Sequence, residues 1–502
     1  MQLTTANKGR EWFMATVCHL CVLTGLVLLV PSLGHAVSTG TIFGSVLDPS
    51  GAVIAGASVT IRNEGTAIER TTSSNSSGEY LFDGLPIGIY TLTGSNAGFK
   101  AYEQRSIVLN VDQKVRADIK LEIGSKAETV EVTATASLVD TRSGTIADVI
   151  TASQVTNLPL NGRNTQQLMA LQAGVQYSGG GGMQNGAVNP SVQVYAVAGA
   201  RGNQTDYELD GGDHNDYWTG VSMATPNPDA IQEFSVQTSN IDAQYGQKAG
   251  GVVNMVMKSG TNKFHGTAYE YIRNNALNAK NFFALTNDGL KRNQFGATIG
   301  GPIRRDKTFF FFSWQDTRLS QRPSSANMVV PGAAQRSGDL TGLPDEVHNP
   351  WDGVTYNAID PENPTGPRLR TQLPAVGQPG GMDAATQNMF KFFALPNAEG
   401  NHSIFQTQIR EKVPEYSLKI DQNFGTKDRL FGSFFMQNDE TPIGGDPSNF
   451  ITLSAGTQFT VHRWTFGETH TFSPTVVNDF HLTLSYTRTL FNSAQGLIPG
   501  FT

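Results

Sequence analysis

Few side-chain groupings in this 502-residue chain could do covalent or metal chemistry. The densest is Asp210-Gly-Gly-Asp-His-Asn-Asp216, which holds three carboxylates and an imidazole. So many oxygen donors suggest calcium, but an EF-hand loop alternates its ligands and closes on a bidentate Glu, and this stretch does neither. Its Gly, Asn and Asp content reads better as a solvated turn. The two cysteines, Cys18 and Cys21, have the CxxC spacing of redox or metal sites in folded domains. Here they lie in an apolar N-terminal run, where the spacing reads as accidental. None of the nine histidines begins an HExxH or HxxE motif, and no GxSxG elbow occurs. An enzyme is therefore not expected, and neither a metal nor a cofactor.

What remains is backbone chemistry. Ala127–Ala134 reads AETVEVTA, in which Glu128, Thr129, Val130, Glu131 and Val132 alternate polar with apolar. Alone, the segment would be an edge strand. Lying between two domains, it could instead donate a strand to a partner's sheet, because an extended segment with unpaired backbone groups extends any open sheet edge.

The elements around it begin with an export signal. Lys8 and Arg10 precede a mostly apolar run, Trp12 to Val30, which Pro31 ends before Gly34-His35-Ala36. Basic, apolar and small residues in that order predict a signal peptide over residues 1–36. A membrane anchor fits less well, since Thr16, His19 and Thr24 interrupt the run, and Leu20 before Cys21 does not suit lipid attachment. Cleavage leaves no cysteine. It also removes Lys8, Arg10 and Glu11, a net +1, so a charge of −7 becomes −8. Nucleic acid is not an expected partner of so acidic a chain. Charged residues make up 16% of the chain, against about 25% in typical soluble proteins. With 53 glycines, this points to β-rich architecture.

Residues 37–123 consist of short β-like runs cut by turn signals, the pattern of an antiparallel sandwich. A linker follows over 124–139. Residues 140–260 are mixed and Gly-rich; they include LPLNGRNTQQLMALQAGV, a turn at Asn161-Gly162 followed by a helix capped by Asn164, and a glycine run over 179–182. From 261 to 502 the period becomes two. Phe310, Phe312 and Trp314 share a face; Tyr416, Leu418 and Ile420 alternate with Ser417, Lys419 and Asp421; Phe480, Leu482, Leu484 and Tyr486 alternate with polar residues. Aromatic alternation over about 9–11 residues suits strands that cross a membrane tilted. The fold class expected is mainly β: a sandwich, a mixed α/β domain, and the first part of an antiparallel barrel.

Two resemblances sharpen this reading. GSVLDPSGAVIAGASVTIRNEGT and SSGEYLFDGLPIGIYTLTGSNAGF resemble the carboxypeptidase regulatory-like domain, a transthyretin- or starch-binding-like sandwich sometimes credited with carbohydrate binding. AVAGARGNQTDYELDGGDHND, DAIQEFSVQTSNIDAQYGQKAGGVVNMVMKSGTNKFHGTAYEYIRN and NQFGATIGGPIRRDKTFFFFSWQDTR resemble Oar-like TonB-dependent receptors of the Gram-negative outer membrane. That resemblance implies a plug over 140–260 and a barrel wall from 261, with the sandwich in the periplasm. It makes Glu128–Val132 the Ton box, grasped by a TonB-type energy-transducing protein. It also implies outer-membrane lipid around the wall and energised uptake of a small-molecule, glycan or peptide ligand. A surface adhesion, signalling or carbohydrate-binding protein is the alternative on the same scaffold. Such receptors close about 22 strands around a plug. Only about six to eight fit after Thr261, so the chain is expected to be a portion of a longer protein whose wall stays open.

Overall fold

A computed structural model describes residues 39–124, 129–133, 144–180, 192–241, 244–246, 248–284, 287–322, 326–341, 343, 345–349, 353–376, 378–379, 381–445, 456–473 and 476–492. The predicted signal peptide, both cysteines, Glu128 and two of the four glycines of the 179–182 run lie outside these residues.

The sandwich is built from β1 (Thr39–Leu47), β2 (Ser58–Asn63), β3 (Glu69–Ser73), β4 (Glu79–Pro86), β5 (Gly88–Ser95), β6 (Ala101–Leu109), β7 (Lys114–Arg116) and β8 (Ile119–Lys120). In one sheet β1 pairs antiparallel with β4 and parallel with β7 and β8. The other runs β3-β2-β5-β6 and continues into β9 (Thr129–Thr133). Alternate residues turn inward, and Ile42, Val46, Val59, Ile61, Phe82, Leu92, Ile107, Val115 and Ile119 fill the space between the sheets. Its buried polar residues, Thr72, Ser74 and Gln104, are all uncharged.

The middle region contains β10 (Ile146–Ile150), a short helix at Ala152–Asn157, β11 (Val175–Gly180), β12 (Gln193–Val197), β13 (Asp206–Leu209), β14 (Gly212–Asp213), β15 (Ile231–Ser239) and β16 (Val252–Met257). Five strands form one sheet, ordered β10-β15-β16-β13-β14, and β11 and β12 form a hairpin. The helix expected after Asn164 is 3₁₀ over Thr165–Leu171; the Asn164 side chain does cap it, accepting from the Gln166 amide at 2.9 Å. Most of its residues are good helix formers, but seven of them are too few to hold a helix unaided, so packing decides the form, and Leu168 and Met169 are drawn into the core.

Among the described residues the wall is one antiparallel sheet of seven strands, within the expected six to eight. β17 (His265–Asn274), β18 (Lys291–Arg304) and β19 (Thr308–Gln321) are followed by a long excursion bearing β20 (Ala326–Val329), β21 (Val347–His348), β22 (Thr355–Tyr356) and β23 (His402–Phe405). The wall then resumes with β24 (Ile409–Phe424), β25 (Asp428–Thr441), β26 (Gly456–Ser473) and β27 (Val476–Asn492). Its strands are 10 to 18 residues long. Hairpins at one end are tight, Arg304 to Thr308 and Phe424 to Asp428, whereas the other end carries the long connections. The sheet is not closed: β17 and β27 are its two edges among the described residues.

Alternation sorts the wall's side chains. Tyr416, Leu418 and Ile420 face outward and are exposed, while Ser417, Lys419 and Asp421 face inward and are buried. Phe312, Leu482, Leu484 and Tyr486 are likewise outward and exposed. One contiguous apolar face of this size belongs in lipid.

Candidate functional site

The inner face of the wall packs against the five-stranded sheet. Part of this contact is apolar, where Phe435, Phe459 and Val461 join Tyr207, Leu209, Phe234 and Met255 in one core. The rest is a seam of buried charges. Lys419 Nζ lies 2.7 Å from Asp210 Oδ1 and 3.3 Å from the Met257 carbonyl. Asp210 also accepts from the Met257 amide at 3.1 Å. Asp421 pairs with Arg429 at 2.7 Å and accepts from the Ser259 hydroxyl. Arg463, fully buried, donates Nη2 to the Leu209 and Gly212 carbonyls, both at 2.7 Å, and Nε to the Asp213 carbonyl at 3.3 Å.

The Asp210–Asp216 stretch is therefore not the solvated turn expected. Asp210, His214 and Asn215 are buried, and β14 packs against β27. The wall supplies cations from positions more than two hundred residues away in sequence, at Lys419 and Arg463, and local composition carries no sign of them. Gly212 makes the approach possible: a Cβ there would lie 1.9 Å from Thr483 Oγ1. Nor do the carboxylates and imidazole of this stretch converge on a common point, although Asp213 accepts from the Asn215 side chain at 2.5 Å. Asp210 faces Lys419, His214 Nε2 bonds the Ala224 carbonyl at 2.9 Å, and Asp216 caps its own turn at the Trp218 amide. Burial pushes the His214 imidazole down to about 3, so it is neutral.

A second group joins the middle domain to the long-loop half of the wall. Gly162 and Arg163 both adopt left-handed backbone, with φ of 75° and 56°. That turn puts the Arg163 guanidinium against Asp229 and over the rings of Tyr271 and Tyr269, at 4.0 and 4.8 Å. Glu415 accepts from both the backbone and the side chain of Asn227 at 2.6 Å. Sequence reading missed these residues. The one available signal was a charged residue at the inward position of a wall strand, as at Lys419 and Glu415.

The third contact joins the sandwich to the middle domain. Asp112 sits at the tip of the turn after β6 with φ of 59°. Its carboxylate accepts from Ser235 Oγ at 2.7 Å, Tyr245 OH at 3.0 Å, Gln237 Nε2 at 3.1 Å and Asn254 Nδ2 at 3.3 Å. The neighbouring Val111 amide donates to Glu233 Oε1 at 2.5 Å. Burial raises both carboxyls, Glu233 to about 7; at Asp112 the hydrogen bonds offset part of the rise. No sequence signal marked this turn.

The candidate coupling segment lies beside the sandwich. Thr129–Thr133 pairs parallel with β6 in the register Ala101↔Thr129 to Arg105↔Thr133. The edge-strand reading of this stretch thus describes its place in the structure, and Val130 is half-buried there. Elsewhere, Asp428, Glu468 and His470 bring three donor atoms within 4.8 Å on the tight-hairpin rim. Asp428 and His470 already bond each other at 2.5 Å.

With this geometry in place, the similarities to known proteins are specific. Residues 256–500 match the family described as outer membrane beta barrel domain, and residues 41–122 the carboxypeptidase regulatory-like domain. Over 485 residues the chain is 28% identical to the TonB-dependent transporter Oar of Myxococcus xanthus, covering 85% of this chain and 42% of that protein. Among solved structures it is similar to the ferric enterobactin receptor of Pseudomonas aeruginosa: 13% identity, 70% of this chain, 42% of the other, TM-score 0.41. The outer membrane transporter YddB of Escherichia coli gives 9% identity, 68% and 38% coverage, and a TM-score of 0.41. The chain spans less than half the length of the curated relative it matches. These similar proteins are transporters and receptors, not enzymes.

Proposed function

We propose that this outer-membrane homologue of the Oar-type TonB-dependent transporters performs energised uptake, with Asp140–Gly260 as its plug and no covalent step. In outer-membrane barrels short turns face the periplasm and long loops the exterior. The sandwich lies at the tight-hairpin end, where Arg70 Nη2 reaches Thr471 Oγ1 at 3.2 Å and the Asn262 amide donates to the Gly65 carbonyl at 2.9 Å. It is therefore periplasmic, and ligand meets the long loops and the plug apex first. A TonB-type protein takes Glu128–Val132 by strand addition, and its pull rearranges the plug.

The observation that carries this reading is the seam of Lys419, Asp210 and Arg463. Beside the apolar patch around Phe435, Phe459 and Val461, it ties the plug to the wall with polar groups that water can solvate once the contact opens. An apolar seal could open only by exposing hydrocarbon. The test follows labelled medium solutes in cells that express the full-length protein. Accumulation above that of receptor-free cells is expected, and a protonophore should abolish it. Val130→Pro should abolish it too, while surface binding persists, because proline removes a ladder donor. Undiminished accumulation in a well-expressed Val130→Pro variant would contradict the coupling assignment. Surface binding without protonophore-sensitive accumulation would favour adhesion.

A further inference from the structure

β9 ends the sheet ordered β3-β2-β5-β6-β9, so one of its edges is paired with β6 and, among the described residues, the other is open. β6 leads within three residues to Asp112, the turn bonded to Ser235, Gln237, Tyr245 and Asn254 of the plug. We propose that the sandwich presents Thr129–Thr133 as a preformed edge strand, that the partner's strand adds to its open side, and that β6 and Asp112 carry the pull to the plug while β9 stays paired. This rests on the coupling-strand reading above and adds the surface and the route.

The physical case has three parts. An extended segment free in solution must be ordered when it is captured; one already held in a sheet has lost that freedom, and binding is the stronger for it. A pull along the axis of β9 loads its five register pairs with β6 together, in shear, and does not open them singly. The last described pair is Arg105↔Thr133, directly before Ser106, whose left-handed φ of 61° coincides with the irregularity in the β5–β6 pairing. Beyond that point the strand runs to Leu109 and into the docking turn, where Val111 and Asp112 hold residues on both β15 and β16. The path from open edge to plug is continuous hydrogen-bonded structure.

Glu103 and Glu131 are register partners, and Glu103→Cys/Glu131→Cys would lock β9 onto β6 by a disulfide. Two readouts apply to the full-length protein: affinity for the purified periplasmic domain of a TonB-type protein, and protonophore-sensitive accumulation of labelled solutes. The oxidised variant is expected to match its reduced form in both, within about twofold, since neither step needs β9 to leave β6. Loss of binding on oxidation, recovered with reductant, would overturn the open-edge surface. Retained binding with lost accumulation would overturn the route, because β9 would then have to peel away. Failure of the pair to oxidise would contradict the register. Asp112→Ala should leave partner binding unchanged and lower accumulation at least about tenfold; normal accumulation would also overturn the route. The coupling-strand reading fails separately, through unaltered partner binding in Val130→Pro.

Discussion

The sandwich interior and the seam between plug and wall are both shut off from water, yet they are filled with different things. Between the sandwich sheets lie Ile42, Val59, Leu92 and Ile107, and the buried polar residues carry no charge. Along the seam, beside the apolar contact of Phe435, Phe459 and Val461, lie Asp210, Lys419, Asp421, Glu415 and Arg463. An apolar core gains stability in proportion to the area it hides and loses it all at once when opened. A buried ion pair adds little net stability but is costly to break halfway. The first is suited to a body that keeps its shape, the second to a contact that must hold in one arrangement and re-form in another.

The largest test of this contrast is Lys419→Met. It strips the buried carboxylate of Asp210 of its cation and should destabilise the seated plug by about 3–5 kcal/mol. Asp210→Asn/Lys419→Met should recover much of the loss, since no buried charge is then unpaired while the Asn oxygen still accepts from the Met257 amide and Asn tolerates the left-handed φ of 49° at that position. Urea denaturation in detergent, followed by protease sensitivity of the plug, reads both. A single variant as mild as a surface substitution would show that charges do not secure the seam. Leu92→Ala should cost about 2–4 kcal/mol, confined to the sandwich, through lost burial and a cavity. The smallest effect concerns acidity. Burial raises Glu233 from 4.5 to about 7, so the folded protein holds a proton that the unfolded chain releases. Its stabilising contribution is complete below pH about 4.5 and is lost as pH rises through about 7. Asp112 is raised as well and acts with the same sign. Docking of the sandwich should therefore loosen by about 1–3 kcal/mol across that range. Glu233→Gln should flatten the slope, read by amide exchange at Val111 against pH; an unchanged slope would remove Glu233 from the junction's titration.

The two regions also differed in how far the sequence revealed them. Sandwich and wall follow from period-two alternation, because one face of each strand meets an apolar medium and the other does not. At Tyr416–Asp421 that rule sorted every side chain to the face the structure gives it. It could not say what Lys419 and Asp421 face, since an inward polar residue reads the same against lumen water or against a plug. For the same reason Asp210–Asp216 looked like a solvated turn: its partners, Lys419 and Arg463, belong to strands far along the chain. Thr129–Thr133 was legible as an extended strand, but not its parallel place beside β6, which depends on the sandwich leaving that edge open.

Native-state hydrogen exchange on the full-length protein, embedded in lipid nanodiscs, compares the two regions directly. Amides of β13, β14 and β16 along the seam should exchange through a partial opening of lower free energy than the one that releases β2, β5 and β6 of the sandwich. Seam amides that exchange only together with the sandwich core, or after it, would contradict the assignment of the plug–wall contact as the part that gives way.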